Sequence, residues 1–234
     1  MVSVNENENT SEVKLTFEKP SVTLVDHMGN DCSVVNAARV SFAKEVSEMS
    51  EKDEKLIKYL AVHKHWTPFA HTSISLRFSA PIFLARQLVK HQVGGVWNEE
   101  SRRYITNDVS LYMPKEWRKA PIGSIKQGSG EAVSEDTKAL CDYFLETLYD
   151  YSLEVYHTLL DLGVCPEQAR MVLPLGHMTH WVWTGSLYFW ARVYHLRADA
   201  HAQKDHAPLV AGIDEIMTKL FPISWKCLKE NYAE

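Results

Sequence analysis

The stretch Thr72-Ser73-Ile74-Ser75-Leu76-Arg77-Phe78-Ser79-Ala80-Pro81 changes its period partway along. Ile74, Leu76 and Phe78 alternate with polar residues, which predicts a half-buried strand. Pro81 then suits the first position of a helix running to about His91, because its fixed φ fits a helix start and its missing N–H is not needed there. On that helix Gln87, Lys90 and His91 fall at three- and four-residue spacing and share one face. The face leads directly into Gln92-Val93-Gly94-Gly95-Val96-Trp97 and then Asn98-Glu99-Glu100-Ser101-Arg102-Arg103-Tyr104. Gly94 and Gly95 permit positive φ and close backbone approach. Lys90, Arg102 and Arg103 offer positive charge, and Glu99 and Ser101 lie on one side of an extended chain. The mixture suits an anionic ligand; a solvated polar loop is the alternative.

Working outward, residues 1–12 read as an acidic, asparagine-rich arm, and residues 13–234 as one domain. Val13 to Val25 alternates enough for one or two strands. Ser50-Glu51-Lys52-Asp53 resembles a capping box opening a helix through Leu56, Ile57 and Leu60. Gly123 to Ser134 is polar and glycine-rich, as a flexible surface insertion would be. The long helix after it carries Leu140, Phe144, Leu148, Tyr151, Val155 and Leu159, a stripe expected to face the core, with Gly163 placed to cap it. Pro166 to Val172 predicts a short helix bearing Arg170, which either snorkels to solvent or meets a buried anion. His177 to Trp183 predicts a strand with Trp181 and Trp183 on one face. A helix from Ser186 to Leu196 follows, and then a further helical stretch with Arg197, Asp199, His201, Gln203 and Asp205. Pro208 opens a last helix through Ile213, Met217 and Leu220.

A net charge of −5 supplies no global field for nucleic acid or acidic membrane. An anion must be held by a local cluster. The longest apolar runs, such as Ala80 to Ala85, are far short of a bilayer span of roughly 20 residues, and Met1 to Thr10 lacks the basic and apolar regions of a signal peptide. The expected location is the cytoplasm. Cys32, Cys141, Cys165 and Cys227 form no Cys-x-x-Cys pair and read as reduced thiols.

Histidines near one another, such as His63, His65 and His71, or His201 with Asp205 and His206, invite a metal reading. None forms His-Glu-x-x-His, and no set gives three ligands from one rigid element, so no metal is expected. Ser101 lacks the Gly-x-Ser-x-Gly elbow of a hydrolase. Neither common nucleotide-binding glycine motif is present, so a nucleotide site would need Lys90, Arg103, Arg170 and Arg197 to converge from separate segments.

The chain resembles the flavin-dependent thymidylate synthases. The likeness is carried by Val35-Asn36-Ala37-Ala38-Arg39-Val40-Ser41-Phe42, His65-Trp66-Thr67-Pro68-Phe69-Ala70-His71, Ala80 to Gln87, Asn98 to Tyr104, Ala169 to Pro174 and Leu196 to Gln203. It implies the α/β (α+β) thymidylate synthase-complementing protein fold, a single domain with a twisted, mainly antiparallel sheet flanked by helices. It also implies a homotetramer with shared active sites, in which aromatic residues such as Trp181 and Trp190 are buried either between chains or in the core. The implied reaction is reductive methylation of dUMP to dTMP, with methylenetetrahydrofolate as carbon donor, NADPH as reductant and FAD as hydride carrier. Small molecules are then the partners.

By the same resemblance Arg197 is the catalytic residue, facing the uracil ring. Gln87, Lys90, Glu99, Ser101, Arg103, Arg170 and Arg197 match the dUMP positions. Ser41, His65, Thr67, Lys90, His91, Gln92, Glu99, Ser186, Tyr188 and Arg192 match the FAD positions. The chain departs from the family signature Arg-His-Arg, seven residues, Ser: it reads Lys90-His91-Gln92 with one extra residue before Ser101. Lys90 loses the bidentate fork and Gln92 the charge. Ser186 and Arg192 stand where the family has asparagines, and Arg192 is expected to restore the cation lost at Gln92. Two alternatives remain at this stage, a nucleotide-binding protein that has lost flavin chemistry and, more remotely, a histidine-liganded metal hydrolase.

Overall fold

The computed structural model describes residues 14–122 and 128–231. The arm expected at residues 1–12, and part of the insertion expected at Gly123 to Ser134, lie outside them. In chain order the elements are β1 (Thr16–Phe17), β2 (Ser21–Met28), α1 (Asp31–Arg39), α2 (Glu51–Val62), α3 (Thr67–Ala70), β3 (Ser73–Pro81), α4 (Ile82–Leu88), β4 (Gly95–Glu99), β5 (Ser110–Leu111), α5 (Glu135–Asp161), α6 (Pro166–Ala169), β6 (Met178–Gly185), α7 (Leu187–Ala198), α8 (Ala207–Leu220) and α9 (Pro222–Asn231).

The quoted stretch is a central strand. β3 pairs antiparallel with β2 on one side and β6 on the other, and β4 completes a four-stranded sheet in the order β2-β3-β6-β4. Ile74, Leu76, Phe78 and Ala80 are all fully buried, as the alternation required. Opposite them Phe78 pairs with Trp181 and Leu76 with Trp183. The Phe78 and Trp181 rings stack at 5.0 Å, and Trp97 of β4 stacks on Trp181 at 4.4 Å. Helices α7, α8 and α9 cover this face, with Trp190, Leu209, Ile213 and Trp225 in the same core. Trp181 and Trp190 are therefore core residues of one chain, the second of the two expected alternatives.

A second, smaller core joins Val109, Leu111, Tyr149, Leu153, Tyr156, Ala169 and Leu173. It corrects the reading of α5. The helix buries Tyr149, Ser152, Leu153 and Tyr156, whereas Leu140, Phe144, Leu148 and Tyr151 of the expected stripe are 53–65% exposed. The helix carries two adjacent apolar faces, and the second core is wide enough for one.

Local chemistry sets the element ends. Ser50 and Asp53 form the expected capping box on α2, and Gly163, at φ +84°, follows the end of α5. Pro81 caps α4 rather than opening it, and α4 stops at Leu88, short of His91. The helix expected beyond Arg197 does not form: α7 ends at Ala198, and a turn and a short 3-10 segment, Lys204–His206, lead into α8. α8 is followed by α9, so Pro208 does not open the last helix. The described part of the insertion is pinned by Lys119 N–H donating to Glu131 O and Val133 N–H to Trp117 O, both at 2.9 Å.

The double glycine has two separate uses. Gly94 takes φ +83° in the turn, but a Cβ on Gly95 would lie 2.6 Å from Phe189 and 2.8 Å from Trp183 Nε1. Gly95 is thus small to let β4 close on the aromatic core, not to admit a ligand. From Gly95 onward β4 keeps unbroken register with β6.

Candidate active site

Arg197 stands on the last turn of α7, facing the end of α4. Its Nε donates to His91 Nε2 at 2.9 Å, Nη1 to Gln87 Oε1 at 3.4 Å and Nη2 to Gln87 O at 3.2 Å. All three acceptors are neutral. The guanidinium is half-buried without a carboxylate on it, so its charge remains available to a ligand and is strengthened by the poorly hydrated surroundings. Burial also draws its pKa down.

The neutrality of His91 is enforced. Burial first, then Arg197 and Arg192, pushes its pKa to about 4, and its Nε2 must be unprotonated to accept from Arg197. Its neighbour His206 is wholly buried and likewise pushed to about 4, by burial and then by Arg197. His206 Nε2 lies 2.9 Å from Gln87 Oε1, to which it donates in the tautomer protonated at Nε2. Both histidines hold depressed values in the fold against 6.5 in the unfolded chain. The unfolded chain therefore binds more protons as pH falls below that value, and the stability present above it is lost toward pH 4. Melting temperature is expected to drop between pH 6.5 and 4.5 and to drop less in His206→Asn; an equal drop in the variant contradicts the assignment. His180 has the opposite sign. It lies 3.0 Å from Glu100 and 3.2 Å from Glu18, and the Glu100 hydrogen bond raises its pKa, so its contribution is present at low pH and lost as pH rises.

Gln87, Lys90 and Arg197 line one open cavity of about 990 Å³ together with Arg86, Arg118 and Gln203. The other expected nucleotide residues do not line it. The Glu99 carboxylate accepts from Thr179 Oγ1 at 2.8 Å and Trp97 Nε1 at 3.1 Å. Ser101 Oγ accepts from Arg103 Nε at 3.2 Å, and Arg170 is exposed, its Nε donating to Glu167 O. Arg102, expected to offer charge to a ligand, is buried and donates to Asn107 O and Asp108 O; it shapes the loop instead. That loop and the Arg170 turn both grow from the second core, through Val109 and Ala169. The expected nucleotide residues of one chain thus do not come together: Gln87, Lys90 and Arg197 form one candidate half-site, and those beside the second core would form the other.

The expected flavin residues also divide. Ser41, His65 and Thr67 line a groove of about 540 Å³ with Val40 and Trp66, and Tyr188 lies against Trp66, ring centroids 5.8 Å apart. Exposed apolar and aromatic surface beside hydroxyls suits a flavin, which needs a flat apolar face and donors to its polar edge. His91, Gln92 and Arg192 sit apart from this groove. Arg192 Nη1 donates to Val93 O at 3.4 Å, which places its charge at the turn carrying Gln92. Ser186 Oγ is used as the N-cap of α7, accepting from Phe189 N–H at 3.2 Å. The reading of the sequence missed His206 as a partner of Gln87. Its only signal was the crowding of polar residues from Asp199 to His206, which had been considered for metal. Among the described residues no group of three His, Cys, Asp or Glu is placed to hold one.

An antiparallel sheet under helices, with an arginine held on neutral acceptors in a cavity lined by further cations, defines an α+β protein with a candidate anion site. Residues 23–223 match the thymidylate synthase complementing protein family. The flavin-dependent thymidylate synthase of Thermosipho melanesiensis is 38% identical over 220 residues, covering 92% of this chain and 93% of that one. The Kosmotoga olearia enzyme of the same name is 34% identical, covering 95% and 94%. Among solved structures, the UMP/dUMP methylase PolB from Streptomyces cacaoi bound with 5-Br UMP is similar at TM-score 0.82 and 27% identity, covering 92% of this chain and 96% of that chain. The chain belongs to the thymidylate synthase complementing protein family.

Proposed function

We infer that the protein is a flavin-dependent thymidylate synthase, methylating dUMP to dTMP with methylenetetrahydrofolate as carbon donor and NADPH as reductant. The observation that carries the reading is Arg197, a half-buried cation held only by neutral acceptors. Such a group stabilises negative charge on the N3 and O2 edge of uracil and makes the ring a better nucleophile. The solved relative PolB, bound with 5-Br UMP in one structure and with 5-Br dUMP in another, supports a uracil nucleotide as substrate. Bound FAD supplies hydride transfer.

In this reading Gln87 and Lys90 hold the base side of dUMP while Ser101, Arg103 and Arg170 hold its phosphate. The two half-sites meet when subunits assemble as a homotetramer, and Glu99 lies at their junction. The exposed apolar stripe of α5 supports assembly. Ser41, His65, Thr67 and Tyr188 take one part of FAD, and His91, Gln92, Ser186 and Arg192 another. Four free cysteines fit a reducing cytoplasm.

Purified protein should take up FAD, and its flavin absorption should bleach under NADPH without oxygen; protein that binds no FAD overturns the reading. Arg192→Ala should weaken FAD binding by about 10- to 150-fold, in line with ~1.5–3 kcal/mol for a hydrogen bond to a charged group. An unchanged affinity removes Arg192 as the replacement cation.

A further inference from the structure

Arg197 is also reached by a hydrogen-bond chain that begins outside the ligand positions. Gln87, whose Oε1 accepts from Arg197 Nη1, donates from Nε2 to Gln203 Oε1 at 2.5 Å. Gln203 Nε2 donates to Asp205 Oδ2 at 3.0 Å. Asp205 is anchored on its far side: Oδ2 accepts from Arg118 Nη2 at 2.6 Å and Oδ1 from Tyr112 Oη at 3.2 Å. The Arg118–Asp205 pair is largely buried, its side chains 15% and 11% exposed.

The ends of this chain fix its direction. A guanidinium only donates and a carboxylate only accepts, whereas each glutamine amide can do either. Between such ends one orientation of Gln87 and one of Gln203 satisfies every link. A flipped Gln87 would turn its NH₂ toward the Arg197 donor and its oxygen toward Gln203 Oε1, and flipping Gln203 in turn would set its oxygen against the Asp205 carboxylate.

We propose that Asp205 is a positioning residue for the reaction, acting through Gln203 and Gln87 to hold the Arg197 guanidinium at the uracil site. The proposal rests on the reading of Arg197 given above. Asp205→Asn allows either face of the new amide to meet Gln203, so the direction is no longer imposed. Gln203→Leu cuts the chain but leaves the Arg118–Asp205–Tyr112 anchor whole, which guards against a variant that merely unfolds.

The test measures kcat for dTMP formation, dUMP affinity by calorimetry and melting temperature for both variants, their double variant and Arg197→Ala, all as FAD-loaded protein. Each single variant should lose about tenfold in kcat while dUMP Kd moves less than about threefold, since Arg197 acts on charge that grows in the transition state. The double variant should be no worse than the weaker single, because both cut one chain. Singles within about twofold of the parent beside an inactive Arg197→Ala overturn the proposal alone, as do losses that multiply in the double variant. A purely structural role would lower melting temperature without separating kcat from Kd, and that pattern also overturns it. An active Arg197→Ala removes the reading of Arg197 and this proposal with it.

Discussion

Arg197→Ala is expected to reduce kcat/KM for dTMP formation by about 10²–10³-fold, the loss seen when one donor to a developing oxyanion is removed. Three features make the effect large. The guanidinium is half-buried, so water does not replace it readily. Its contacts are His91 and Gln87, both neutral, so no nearby carboxylate has already used its charge. Its guanidinium is also a planar fork, the shape that would suit a planar uracil edge. Arg197→Lys should recover only part of the loss, since an ammonium is a point charge without that fork. Steady-state kinetics on flavin-loaded protein decides the matter, and near-parental kcat/KM in Arg197→Ala would refute the role.

Trp190→Ala should cost about 3–5 kcal/mol of stability, as deletion of a fully buried aromatic does. Trp190 is 0% exposed. Its ring stacks with Phe78 at 5.9 Å and meets Trp183 and Phe189 edge-on, while Nε1 donates to Ile74 O at 3.2 Å. The same helix carries Tyr188, Arg192 and Arg197, so loosening it should also disturb the flavin and nucleotide positions proposed for them. Because the contacts lie within one chain, the loss in melting temperature should not depend on protein concentration. A loss that disappears at high concentration would place Trp190 between subunits instead.

The sequence was most legible where a local rule decided the outcome. Alternation in Thr72–Ser79 marks the central strand, Ser50 and Asp53 mark the start of α2, and Gly163 marks the end of α5. The family motifs picked out Gln87, Lys90 and Arg197, which do line one cavity. Legibility failed where distant segments compete for the same surface. Periodicity shows that α5 has apolar residues at helical spacing, but not which of two adjacent faces meets the second core. Gly95 looks permissive in isolation and is required by Phe189, 94 residues later in the chain. Arg102 looks like a ligand cation and closes its own loop through Asn107 and Asp108. The pairing of His206 with Gln87 spans 119 residues and leaves no periodic trace. Beyond the departure at Lys90-His91-Gln92 the strand register is unbroken from Gly95, and Arg192 donates to the same turn at Val93 O.

The most direct test of the central claim is anaerobic dTMP synthesis from dUMP, methylenetetrahydrofolate and NADPH, by flavin-stripped protein with and without added FAD, with UMP run in parallel. The account predicts dTMP only when FAD is present. Methylation of UMP alone would place the substrate elsewhere among uracil nucleotides. No methylated product from the flavin-loaded protein, or equal dTMP without flavin, would contradict it.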